Sequence, residues 1–272
     1  TQPLRDAGLL APGRGADYLV ITAEPLRSAA GELAALRAAE GLQTAVVTVE
    51  EIYDELAGGF PTPHAIRELL VEAAARWQPA PRYVVLAGSG HFDYRDLLGN
   101  GGNWVPPLLT GSRHGLFAAD GRFADLTGDD WVPEVAIGRI PARTAAELSA
   151  YVAKLAAYEA GLGDASGRAL LVADNAEPGL DFAAGLEELT ESLPTDFEQG
   201  WVELVPGQVD SARAALFSGL ASGANLLAYS GHGGIDRLAA EGLLTLADLP
   251  SLPAAGELPV MVALTCVLNR FE

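Results

Sequence analysis

Chemistry in this chain can be sought first in its single cysteine, Cys266, and in one of its four histidines, His232. A thiol attacks an acyl carbon only as the thiolate, and a nearby imidazole can take its proton. His232 stands in Asn225–Gly234, NLLAYSGHGG, and Cys266 in Pro259–Phe271, PVMVALTCVLNRF. Glycines flank the histidine at Gly231, Gly233 and Gly234. Glycine lets backbone N–H groups turn toward a ligand, so the Gly233 and Cys266 amides are candidates for an oxyanion hole. Position alone leaves a second reading open. Isolated cysteines are often inert core hydrophobes, and Gly-His-Gly turns also occur in ordinary loops.

Both reactive residues end apolar runs of strand length. Cys266 follows His232 by 34 positions, room for one crossover helix. The two strands can therefore be neighbours, about 4.8 Å apart, with both side chains at the carboxyl edge of one parallel sheet, where ligands bind in such folds.

The rest of the chain alternates strands and helices. Strands are expected at Asp17–Thr22, Gln43–Val49, Tyr83–Ala87, Val132–Gly138, Arg168–Ala173, Trp201–Val205 and Asn225–Tyr229, and in the cysteine run. Helices are expected from Pro25 to Glu40, around Glu50–Leu56, from Thr62, from the capping box Thr144–Glu147, at Asp181–Leu193 and Asp210–Ser222, and near Leu246–Leu252. This alternation predicts an α/β fold with mostly parallel sheets covered on both faces. Residues 97–130 read as a mostly irregular stretch rich in Gly, Pro, Asn and Asp, a length that points to function or metal. The linker GLGDASG, Gly161–Gly167, divides the chain into an N-terminal unit, 1–160, and a C-terminal unit, 161–272.

Net charge is −19, from 17 Lys+Arg against 36 Asp+Glu. That balance argues against nucleic acid and anionic membrane, which need a basic surface. Basic peptides or cations suit it, and the excess also aids solubility. No run reaches the ~20 apolar residues of a membrane helix. One cysteine excludes an internal disulfide and a multi-thiolate metal site. Neither His64, His91 nor His114 has zinc-ligand spacing with another histidine.

The combination SGHGG with ALTCxxxxF, together with DYLVIT, IYDELAGGFPTPHAIRELL, YVVLAGSGHFDYRD and DDWVPEVAIGRIPARTAAEL, resembles the gingipain family of cysteine peptidases. The likeness runs over about residues 16–272. It implies a caspase-like three-layer second unit and Cys266 with His232 as the catalytic pair. It places the orienting carboxylate on Glu134 and gives Arg139 a structural role. It further implies an extracellular or cell-surface bacterial protein and cleavage of protein or peptide substrates, possible after basic residues, for which Glu147 and Asp236 are the candidate specificity acids. Catalysis would need no cofactor. Structural calcium is implied, with Asp93, Asp120, Asp125, Asp129 and Asp130 as candidate ligands, although their spacing is not that of an EF-hand. Three positions depart from the family's pattern: Ser89 where aspartate is common, Asn269 where glycine is usual, and the stop six residues after Cys266. The last raises the expectation of a missing C-terminal segment that would pair with the cysteine strand. A sortase-like transpeptidase and an inactive peptidase-like binding or assembly module are the competing readings.

Overall fold

The structure is a computed structural model that describes residues 4, 6–113, 115–161, 167–252, 258–268 and 270–271. The chain divides into two compact units, Thr1–Ala153 with Phe271–Glu272, and Lys154–Arg270. The division falls inside a helix rather than in the Gly161–Gly167 linker, most of which lies outside the described residues. Among the described residues no helix is long and apolar enough to cross a membrane.

In the first unit the elements run β1 (Tyr18–Thr22), α1 (Arg27–Ala39), β2 (Thr44–Thr48), α2 (Val49–Leu56), α3 (Pro63–Arg76), β3 (Tyr83–Ala87), β4 (Leu109–Ser112), β5 (Gly115–Ala118), α4 (Gly121–Ala124), β6 (Ala136–Ile140) and α5 (Ala145–Gly161). The sheet order is β2-β1-β3-β6, all parallel. All five residues of β1 are buried, as a central strand covered on both faces requires. Leu19, Ile21 and Val47 pack with Ile52 of α2 and Ile66, Leu69 and Leu70 of α3. Helix starts follow the sequence signals. Thr48 and Glu51 close a capping box on α2, and the Thr62 hydroxyl accepts from His64 N with Pro63 in the first turn.

Within the mostly irregular stretch 97–130, β4 and β5 form an antiparallel hairpin and α4 a single turn. The strand expected at Val132–Gly138 starts later, at Ala136, and carries Arg139 inside it. Arg139 is almost fully buried, pairs with Asp120 at 2.5 and 2.8 Å, and donates to the carbonyls of Gly88 and Val105. Its guanidinium lies 4.4 Å from the centre of the Phe271 ring. A buried guanidinium needs such saturation, because desolvation otherwise costs several kcal/mol.

The second unit contains β7 (Arg168–Ala173), α6 (Phe182–Thr190), β8 (Glu198–Glu203), α7 (Val209–Ala221), β9 (Leu226–Ser230), β10 (Arg237–Leu238), β11 (Leu244–Thr245), a 3-10 turn over Leu246–Ser251, and β12 (Val260–Leu264). Its sheet is parallel in the order β12-β9-β7-β8. Alternation along β7 builds the three layers. Leu171 and Ala173 face Leu186 of α6, while Leu170 and Val172 face Leu216 and Leu220 of α7. The β10–β11 hairpin after the histidine was not anticipated, since each arm is only two residues long.

β12 differs from its neighbours. Among the described residues it pairs on one side only, with β9. Val260, Met261, Val262 and Leu264 are all exposed, Leu264 at 56%. An edge strand with both faces open is an association surface.

Candidate active site

Three strands of the second unit end level with one another. Ala173 of β7 lies opposite Ser230 of β9, and Ser230 opposite Leu264 of β12. His232 and Cys266 each stand two positions past that line, and Asp174 one position past it. The ladder therefore brings the thiol and the imidazole to the same edge, as the spacing of the two runs requires.

The loops beyond the strands lie in direct contact. A Cβ built on Gly233 would sit 2.4 Å from Thr265 Oγ1 and 2.5 Å from the Cys266 carbonyl oxygen. Only glycine fits where the histidine loop passes the cysteine loop. Cys266 is free and exposed. The backbone N–H groups of Gly233 and Cys266 meet no protein acceptor among the described residues. After the cysteine, Val267 adopts φ +48°, a conformation that costs a β-branched residue energy.

His232 is held from several directions. Its ring Nδ1 lies 3.0 Å from Asp174 Oδ2, and its backbone N–H donates to the same oxygen at 2.9 Å. The Asp174 side chain is 2% exposed. Its other oxygen accepts from Asn175 N. Phe182, the first residue of α6, meets the imidazole edge to face at 5.2 Å between centres. Tyr229 donates its hydroxyl to the His232 carbonyl at 2.6 Å and accepts from Ala239 N. Burial, aided by the charge of Asp174, pushes the Tyr229 hydroxyl well above its ordinary pKa, so it stays protonated and keeps donating. On the far side of the ring, Nε2 lies 3.9 Å from Glu177 Oε2. Glu177 opens a tight turn closed by paired backbone bonds with Leu180, with Gly179 at φ +82°.

Within the second unit the carboxylate on the imidazole is Asp174. Glu134, the acid to which the family resemblance gave that role, lies in the first unit. It accepts from Leu126 N at 2.6 Å and from the hydroxyl and N–H of Thr127. The Thr127 hydroxyl and the Leu126 amide hold its carboxyl below the usual range. The contact of Asp174 with His232 has a topological reason: β7 adjoins β9, so an acid just after β7 reaches a histidine just after β9. The signal available in the sequence was Asp174 directly behind the apolar run ALLVA.

The other nominated acids also have local roles. Glu147 caps α5, accepting from Arg143 N, and Asp236 forms paired bonds with Arg237. Of the five acids considered for calcium, Asp93 accepts from Leu98 N, Asp120 pairs with Arg139, Asp125 and Asp129 pair with Arg122, and Asp130 accepts from Val132 N. Among the described residues no three acids, histidines or cysteines converge as a metal site. His91 is spent within its own loop, its ring nitrogens on Asp93 N and Gly101 O. His114 lies outside the described residues.

A thiol and a carboxylate-held imidazole at one edge of a three-layer α/β sheet are the parts of a cysteine-peptidase scaffold. The sequence model of Peptidase family C25 matches residues 11–272, and the chain belongs to that family. Among solved structures it is similar to the Arg-specific cysteine proteinase gingipain R, with TM-score 0.69 and 18% identity over 98% of this chain and 57% of that one. It is also similar to the complex of pro- and mature domains of RgpB from Porphyromonas gingivalis, with TM-score 0.67, 18% identity and coverage of 92% and 55%. The chain spans a little over half the length of these relatives. A comparison with curated protein sequences found no match.

Proposed function

We propose that the chain carries the catalytic centre of a cysteine endopeptidase, with Cys266 as nucleophile, His232 as general base and Asp174 as the residue that orients the imidazole. One observation supports the reading: His232 and Cys266 each follow the last pair of the in-register β9–β12 ladder by two positions, and Asp174 lies at Nδ1. With Nδ1–H donated to the carboxylate, Nε2 keeps its lone pair for the thiol proton. The thiolate then attacks the scissile carbonyl carbon. The tetrahedral oxyanion finds two unengaged donors, the Gly233 and Cys266 N–H groups. Collapse breaks the C–N bond, the imidazolium gives its proton to the leaving amine, and a thioester remains. Water, deprotonated by His232, hydrolyses the thioester and restores the thiol. Glu177 stabilises the transient imidazolium from 3.9 Å, weakly because it is half exposed.

Cleavage after basic residues is the specificity that the net charge of −19 supports, and an extracellular or cell-surface site is what family membership supports. The reading is tested with peptide substrates and iodoacetamide. Cys266→Ala is expected to abolish cleavage, and Cys266 to be alkylated faster than a free-thiol standard. Cleavage unchanged in the variant, or ordinary thiol reactivity, overturns it. A sortase-like transpeptidase would share the acyl-enzyme and be distinguished by an added amine that diverts the acyl product. The open edge of β12 favours a second reading, a module that binds a further polypeptide segment of the same protein or another chain. Under that reading the wild-type chain binds peptide without cutting it.

A further inference from the structure

The first unit holds a crevice that the chemistry above leaves unused. It measures about 390 Å³ and opens at the carboxyl end of β3, the usual ligand position in a parallel α/β sheet. Its volume falls in the roughly 300–1,000 Å³ range of small-molecule sites. The residues that matter in its wall are Gly90, His91, Phe92, Gly101, Arg143 and Phe271.

Arg143 is the informative one. Arg27 pairs with Glu51, Arg122 with Asp125 and Asp129, and Arg139 with Asp120. The guanidinium of Arg143 meets no acceptor among the described residues, although its backbone N–H donates to Glu147 and its carbonyl accepts from Trp104 Nε1. Arg143 is the cation in the crevice wall. It immediately precedes Thr144, whose hydroxyl accepts from Glu147 N at the start of the 17-residue α5, so the positive end of that helix adds to the field. The Glu147 carboxylate offsets part of it but is turned back to the Arg143 amide at 2.8 Å. Around this cation the wall is aromatic. Phe92 is 55% exposed, and Phe271 is fixed by stacking on Arg139. His91 contributes its ring face, since both of its nitrogens are engaged.

We propose that this crevice binds a carboxylate carried beside an aromatic or bulky apolar group, as in a peptide C-terminus ending in such a residue or a free acid of the same chemistry. Guanidinium grips carboxylate through two parallel N–H···O bonds, which supplies the anchor. The phenyl rings supply the apolar contact.

The test uses the Cys266→Ala chain, so that no peptide is consumed, and isothermal titration. The probes are N-acetylphenylalanine, its amide, and the peptide Ala-Ala-Ala-Phe with a free or an amidated C-terminus. Each acid is expected to bind at least about tenfold tighter than its amide, the loss typical of one hydrogen bond to a charged group. Arg143→Gln removes that discrimination, and Phe92→Ala weakens acid and amide alike. Tighter binding of the tetrapeptide acid than of N-acetylphenylalanine identifies the peptide C-terminus as the source, and equal binding identifies the free acid. Equal affinity for acid and amide, discrimination that survives Arg143→Gln in a chain of unchanged melting temperature, or no binding at millimolar concentration overturns the proposal.

Discussion

His232 meets Asp174 twice on one carboxylate oxygen, through Nδ1 and through its own backbone N–H. The same buried acid therefore fixes both the ring and the loop that carries it. Replacing it with the isosteric amide keeps the shape and removes the charge, and the amide can present a donor to Nδ1 and fix the wrong tautomer. Asp174→Asn is expected to lower kcat/KM by roughly 10²–10⁴-fold, read with a fluorogenic peptide. Glu177→Gln is expected to cost less than about tenfold, because an exposed charge at 3.9 Å is screened. Equal losses in the two variants would reverse the roles given to these acids.

At the level of elements, the contact between the two strand-end loops makes a sharp comparison possible. A methyl on Gly233 collides with backbone and side chain of the cysteine loop, whereas one on Gly234 meets the flexible Arg237 side chain at 3.3 Å. Gly233→Ala is expected to displace the thiol and lower kcat/KM on the order of 10²-fold, and Gly234→Ala to leave it within a few-fold. Comparable rates for the two would mean that the loops do not hold each other. A second staple joins α7 to the 3-10 turn: Arg213 pairs with Asp248 at 2.6 Å, and Asp248 also accepts from Thr245. The Arg213 guanidinium holds the Asp248 carboxyl far below its usual range. A carboxyl depressed in the folded state stabilises above the unfolded value, about pH 4, and loses that contribution as pH falls through the folded value. Melting curves should show Asp248→Asn less stable at pH 7 and less sensitive to acid below pH 4 than the wild type.

Much of this was legible in the sequence. Apolar runs bounded by Gly and capping residues located the strands of both sheets, and the ends of two such runs put His232 and Cys266 at one sheet edge. What escaped is what depends on lateral order. Nothing in ALLVAD says that β7 lies beside β9, so the sequence alone does not single out Asp174. The two-residue arms of β10 and β11 are too short to leave a periodicity. The local bonds of the five loop acids to arginine or backbone are likewise set by the folded loops and not by spacing.

For the molecule as a whole, a net charge of −19 creates a field that attracts cations and is screened beyond about 10 Å at 0.1 M salt. Cleavage of peptides carrying several lysines or arginines should slow as salt rises, with kcat/KM for neutral peptides nearly flat. Identical salt slopes would remove the field from any account of substrate choice. The ladder between β9 and β12 has a different consequence, one of heredity. Because residue faces residue along both strands, each reactive group is placed by counting from Ser230 and Leu264. Substitutions along the strands leave the count intact. A single codon gained or lost between Ser230 and His232, or between Leu264 and Cys266, would carry one group past the other and turn its side chain away. Descendants of this gene can thus vary widely in composition and in the length of the connection before β12, while those two intervals stay closed to insertion and deletion.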